Sequence, residues 1–204
     1  MKWRAARIGD RVYDLSHLHP FSFDFVAAAK DDKPEQRYGI DVIFSLHCFS
    51  RGIAEGATYP ADLTYADSRE VRLFDEQRYT HSLRLPEVIR SIGDRRCFHT
   101  GHDNFFTVEL IDAQNERIEY TVYFKLSRSS SKGRLNLYVQ SAYVQDSVPQ
   151  RRPKPRKPIR FSVIAYNVAV GKAIKAPNWH RGAGHSPNDP CHTTWHAGPH
   201  QAVR

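Results

Sequence analysis

Cysteine is scarce in this chain: Cys48, Cys97 and Cys191 are the only three in 204 residues. An odd number of widely spaced cysteines makes no disulfide framework, and a reducing, cytoplasmic setting is the expectation. Long apolar runs are also missing. No stretch approaches the roughly 20 uninterrupted apolar residues of a membrane helix, so no membrane partner is expected. The opening residues, Met1-Lys2-Trp3-Arg4, lead into charge, which argues against a secretory signal. A Gly-rich phosphate loop with Lys-Ser/Thr, a dinucleotide fingerprint and a Gly-x-Ser-x-Gly elbow are all absent. Nucleotide-driven and serine-hydrolase chemistry lose support accordingly. No internal repeat is visible.

What is present suits an ordinary folded domain, with 40% hydrophobic and 25% charged residues. The net charge of +8 is unevenly spread. Residues 150–204 hold ten Lys/Arg against Asp189 alone, a net of +9, and residues 1–149 hold 20 Lys/Arg against 21 Asp/Glu, a net of −1. The densest basic run, Arg151, Arg152, Lys154, Arg156 and Lys157, is interleaved with Pro153, Pro155 and Pro158. Prolines there block helix and ladder hydrogen bonds, and like charges keep the segment solvated. It reads as a linker, or as an arm that lies on phosphates.

Alternation predicts strands over Phe21–Phe25 and Ile40–Cys48, joined by a charged loop at 30–35. Leu85–Gly93, with Pro86 in its first turn, predicts a short helix. Residues 105–144 predict a three-strand antiparallel meander. Its core stripe reads Phe106, Val108, Leu110, then Ile118 to Leu126, then Leu135, Leu137, Val139 and Ser141. The other face would carry Thr121, Tyr123, Lys125, Asn136, Tyr138 and Gln140. The fold class expected is α+β, mainly antiparallel sheet with one or two short helices. The expected organisation is a globular body over 1–148, a basic Pro-rich linker over 149–158, an additional strand within 159–177 and a disordered His/Gly/Pro-rich tail over 178–204.

Histidine is the most conspicuous chemical candidate. Cys97, His99 and His102 place one sulfur and two imidazoles within six residues, a possible but incomplete zinc set. His17 and His19 would point the same way in an extended segment. Without metal or cofactor, which is the main expectation, histidines could serve as acid and base in RNA cleavage, with cations on the phosphate. The candidates are His47 and His99, with His102 beside them and Lys125 and Arg128 holding phosphate. Tyr123 and Tyr138 could stack bases on a sheet platform.

Leu135–Tyr143, following Tyr123-Phe124-Lys125-Leu126, resembles bacterial proteins of plasmids and phages, as do Ile159–Asn167 and Phe44–Phe49. The strand–loop–strand ending in Ser141-Ala142-Tyr143 is also similar to the barnase–EndoU–colicin–RelE group of ribonuclease-like domains. That resemblance implies a helical part followed by an antiparallel sheet, and RNA-cleaving toxins among its members. It would place Ser141, Tyr143 and Lys125 near the scissile phosphate.

Three readings therefore stand at the sequence level. The first is an RNA-binding, metal-independent ribonuclease-like protein of a mobile element or stress system, with a neutralising protein partner. The second is a non-enzymatic interaction or regulatory protein with a basic arm. The third is a zinc-binding domain built on residues 97–102.

Overall fold

Alternating Phe and polar residues at 21–25 bury one face and leave the other in water, and this pattern sets the first pair of long strands. The computed structural model describes residues 2–29, 34–101, 104–113, 116–144 and 157–174. Two short strands, β1 (Ala6–Ile8) and β2 (Arg11–Tyr13), form a small hairpin. Strands β3 (Phe21–Ala27) and β4 (Gln36–Phe44) pair antiparallel, with Phe21, Phe23 and Phe25 opposite Val42, Ile40 and Tyr38. A small three-stranded sheet follows, from β5 (Ser50–Arg51), β6 (Thr64–Ala66) and β7 (Val71–Phe74). Helices α1 (Glu76–Ser82) and α2 (Leu85–Arg90) come next, then β8 (Arg96–His99). The meander is β9 (Phe105–Ala113), β10 (Glu116–Arg128) and β11 (Arg134–Val144). The described chain closes with β12 (Ile159–Arg160) and α3 (Phe161–Ala169).

The large sheet has seven strands in the order β12-β8-β9-β10-β11-β4-β3. All its pairs are antiparallel except β11 with β4. This is the expected α+β class with the expected meander. Its inner face holds the core: Ile40, Val42 and Phe44 from β4, Tyr120, Val122 and Phe124 from β10, Leu135, Leu137 and Val139 from β11. Helix α3 covers that face. Phe161 meets Phe25 edge-on at 4.9 Å and lies 6.2 Å from Phe124. Leu85, Val88 and Ile89 of α2 and the adjoining Ile92 join the same buried cluster.

Several local expectations need correction. The strand expected within 159–177 amounts to Ile159–Arg160, and Phe161–Ala169 is helix. Phe161, Ile164 and Ala165 are fully buried while Val163 is 46% exposed, so the spacing that matters is i, i+3, i+4 rather than alternation. The strand at 40–48 ends at Phe44, because Leu46–Cys48 turns as a single 3-10 turn in which the Ser45 hydroxyl accepts the His47 N–H. Ser16–Leu18 is likewise a 3-10 turn, so His17 and His19 do not lie on one extended face. Helix α1 has no apolar periodicity to announce it. It forms behind Asp75, whose carboxylate accepts the Arg78 N–H at 2.9 Å.

The core stripe of β9 is displaced by one residue from the expectation. Phe105 and Thr107 are buried inside, opposite Phe124 and Val122, and Phe106 sits on the outer face opposite Tyr123. A one-residue slip exchanges the two faces of a strand. A second reversal occurs in β11. There the register shifts so that Tyr123 faces Ser141 and Phe124 faces Val139, leaving Gln140 as the extra residue. Ala142 therefore enters the core and Ser141 stays outside.

Candidate nucleic-acid interface

The phase of β9 and the bulge in β11 gather aromatic rings on the outer face. Phe98 on β8 and Phe106 on β9 are partners in register and stack at 5.2 Å between centroids. Phe106 lies 5.6 Å from Tyr123 on β10. Tyr123 stacks on Tyr143 of β11 at 5.6 Å, and the Tyr143 hydroxyl donates to the Tyr123 hydroxyl at 3.4 Å. The Arg78 guanidinium of α1 closes this ladder, 5.1 Å from the Tyr143 ring centroid. The ladder thus crosses four neighbouring strands and ends in a cation.

Beside it, Lys125 is opposite Tyr138, and Tyr138 is opposite Ile43 of β4. Lys125 is exposed, as are Tyr138 at 38% and Ile43 at 43%. Asn136 faces Asp41. Asp41 binds Arg134 through two hydrogen bonds, one of them Arg134 Nε to Oδ2 at 2.8 Å, and accepts from the Ser22 hydroxyl at 2.6 Å. These contacts hold the Asp41 carboxyl down to about 2, Arg134 contributing most and Ser22 next. Gln140, the bulge residue, accepts from Asn104 at 2.7 Å and so ties β11 to the start of β9.

Among the described residues, the expected acid–base set does not converge. His99 is 5% exposed and faces inward, opposite Phe105 and edge-on to its ring at 5.1 Å, with Nδ1 accepting the Gly101 N–H. Lys125 follows the inward-facing Phe124 and so points to the other face. His47 lies beyond the end of β4, with Nε2 2.6 Å from Glu70 Oε1. Arg128 sits at the opposite end of this arrangement, facing Leu135, which faces Ile40. Ile40 and Phe44 are four residue steps apart along β4, roughly 13 Å of strand. Ser141, Tyr143, Tyr123 and Lys125 do share the outer face, and Tyr138 joins them there.

His47 belongs to a separate network. Glu70 accepts from Arg72 at 3.2 Å as well as bonding His47, Arg72 Nε donates to the Ser50 hydroxyl, and that hydroxyl donates to the Leu46 carbonyl at 2.7 Å. Cys48 and Cys97 are both buried, and burial pushes each thiol up to about 12. Among the described residues no group of three His, Cys, Asp or Glu side chains is placed to hold a metal ion. His102 lies outside the described residues, as do Arg151, Arg152, Lys154 and Arg156 and the whole of the tail 178–204. Lys157 is described and exposed, just ahead of β12.

Sequence reading missed Phe98, Phe106 and Arg78. The signal for the two phenylalanines was available, because Phe98 and Phe106 alternate with Cys97 and His99, and with Phe105 and Thr107. For Arg78 there was none, since its position follows from the placement of α1 against β11.

The YjaZ family model matches residues 5–169, which include every strand and helix described above. This chain belongs to the YjaZ family. Protein YjaZ of Escherichia coli (strain K12) is 28% identical over 183 residues, spanning 87% of this chain and 96% of that protein. No solved structure matches. The family match takes in the aromatic ladder and the basic run, and stops short of the histidine-rich tail.

Proposed function

We propose that this protein binds single-stranded RNA on the outer face of the seven-stranded sheet. The observation that carries the reading is the ladder Phe98–Phe106–Tyr123–Tyr143 with exposed Tyr138 and Lys125 beside it. Every base has a π-face, so aromatic side chains on a sheet receive bases with little regard to sequence. Lys125 and Arg78 supply positive charge at two points along the platform. The basic run at 151–157, which lies in the sequence between β11 and β12 of this same sheet, would add phosphate contacts. Free buried thiols suit a reducing, cytoplasmic setting.

Binding without cleavage is the form of the reading that the geometry favours. Among the described residues, His99 faces away from Lys125, and His47 lies past the end of β4 remote from Arg128, so the described histidines and cations do not form one acid–base–phosphate set.

The test is fluorescence anisotropy with a labelled 10-nucleotide RNA across a salt series. Micromolar or tighter binding at low salt is expected. Its logarithm should fall linearly with the logarithm of salt, with a shallower slope once Arg151, Arg152, Lys154, Arg156 and Lys157 are neutralised. Absence of binding at low salt overturns the reading and leaves the sheet face to a protein partner.

A further inference from the structure

The ladder leads into a cleft. Past Tyr143 lies a cavity of about 220 Å³ bordered by Arg51, Asp75, Gln77, Arg78, His81 and Tyr143. Two guanidinium groups and one carboxylate meet there. Arg78 is half-buried, and its Nη1 donates to the Ser50 carbonyl at 2.8 Å and the His47 carbonyl at 3.3 Å. Those two bonds fix the plane of the guanidinium. Among the described residues its Nε and Nη2 have no acceptor. Asp75 offsets part of the charge of the two arginines: one oxygen accepts the Arg78 backbone N–H, and the other is 3.9 Å from Arg51 Nε. Burial, then the nearby Arg84, lowers the pKa of His81, so its imidazole is neutral near pH 7 and offers a hydrogen bond rather than a charge. Against His81, at 5.6 Å between ring centroids, lies Tyr120, whose buried hydroxyl has no partner among the described residues.

We propose that this cleft takes a phosphate monoester, the terminal phosphate of a strand that lies along the sheet face. The assignment rests on the sheet-face reading above. Arg78 is the joint between the two parts. One face of its guanidinium lies over the Tyr143 ring, and its unused edge provides the paired N–H groups that grip phosphate oxygens. A terminal phosphate carries close to two negative charges near pH 7, about one more than an internal diester, and so gains more from the net positive charge that two guanidiniums leave over one carboxylate. The cleft therefore selects strand ends over internal phosphates.

The experiment compares three 10-nucleotide RNAs of one sequence: 5′-phosphorylated, 3′-phosphorylated, and hydroxyl at both ends. A nucleoside monophosphate is tested separately by thermal shift. One phosphorylated end is expected to bind about tenfold tighter than the hydroxyl-ended strand, the gain of one good charge-assisted contact. Arg51→Gln, a substitution at a well-exposed side chain, should bring that strand down to the affinity of the hydroxyl-ended one. The same variant should abolish the rise in Tm that the monophosphate gives. Arg78→Lys should do likewise while keeping the charge, because an ammonium lacks the paired N–H edge. Equal affinity for all three strands, with no Arg51-dependent shift by the monophosphate, overturns the proposal. If no RNA binds but the monophosphate still raises Tm through Arg51, the sheet-face reading fails and the phosphate cleft stands.

Discussion

Tyr123 and Tyr143 stack across β10 and β11 with 20° between their planes, although strict alternation from Leu135 would put Tyr143 in the core. The extra residue at Gln140 reverses the phase of β11 and turns both tyrosines to the same side. That one bulge adds Tyr143 to the outer aromatic face.

Tyr138→Ala is expected to weaken binding of single-stranded RNA by about 1–3 kcal/mol, the usual loss for one stacking platform. Tyr138 is 38% exposed, so the fold should tolerate the change. Anisotropy beside a thermal melt separates the two effects. Unchanged affinity with an unchanged melt would remove Tyr138 from the interface.

Phe161→Ala should destabilise the protein by about 3–5 kcal/mol, because it empties a fully enclosed site shared with Phe25 and Phe124. Gly93→Ala should cost about 1–3 kcal/mol by overpacking. An added Cβ there would come within 2.6 Å of Phe25 Cε2, and that ring is already wedged against Phe161. Urea denaturation measures both. A neutral Gly93→Ala would mean that the Phe25 ring moves freely.

Asp41 provides a pH-dependent increment. Its carboxyl is lowered to about 2 in the folded chain by Arg134 and then Ser22, below its ordinary value of 3.8. A depressed carboxylate stabilises the fold fully above the unfolded value, and this contribution is lost as pH falls from about 4 through about 2. The pair is about one-third exposed, so the gain should stay near or below about 1 kcal/mol. Asp41→Asn should flatten the fall in Tm between pH 5 and pH 2, and a parallel curve for the variant would contradict this.

Cys48 and Cys97 should resist a thiol reagent at pH 8 in the native protein and react once it is unfolded. Both are fully enclosed, and burial holds each thiol up at about 12, so little thiolate forms. Mass spectrometry after brief labelling reads the sites directly. Rapid native labelling of Cys48 would mean that the turn Leu46–Cys48 opens readily.

Much of the frame was legible from local chemistry alone. The Phe21–Phe25 alternation, Pro86 at the head of a helix and the polar breaks on either side of β10 are short-range signals, and they specify strands, helix and turns without reference to the rest of the chain. What they leave open is phase and partnership. Phe106 and Phe105 are equally apolar, and only the partner Phe124 or Tyr123 decides which enters the core. Residues 161–169 satisfy both a strand and a helix pattern, and the helix prevails where Phe161 fills the space between Phe25 and Phe124.

The site follows the same division. Sequence by itself determined that the meander would carry Tyr123, Lys125 and Tyr138 on one side, because side chains on a strand alternate. Only tertiary structure decided that Phe98, Phe106 and Tyr143 would join them and that His47 and His99 would not. Strand order and the Gln140 bulge put four distant rings in one row, and burial drew His99 to the opposite face. Distances between residues remote in sequence are set by which strands pair, and pairing is settled by packing of the whole core rather than by any segment alone.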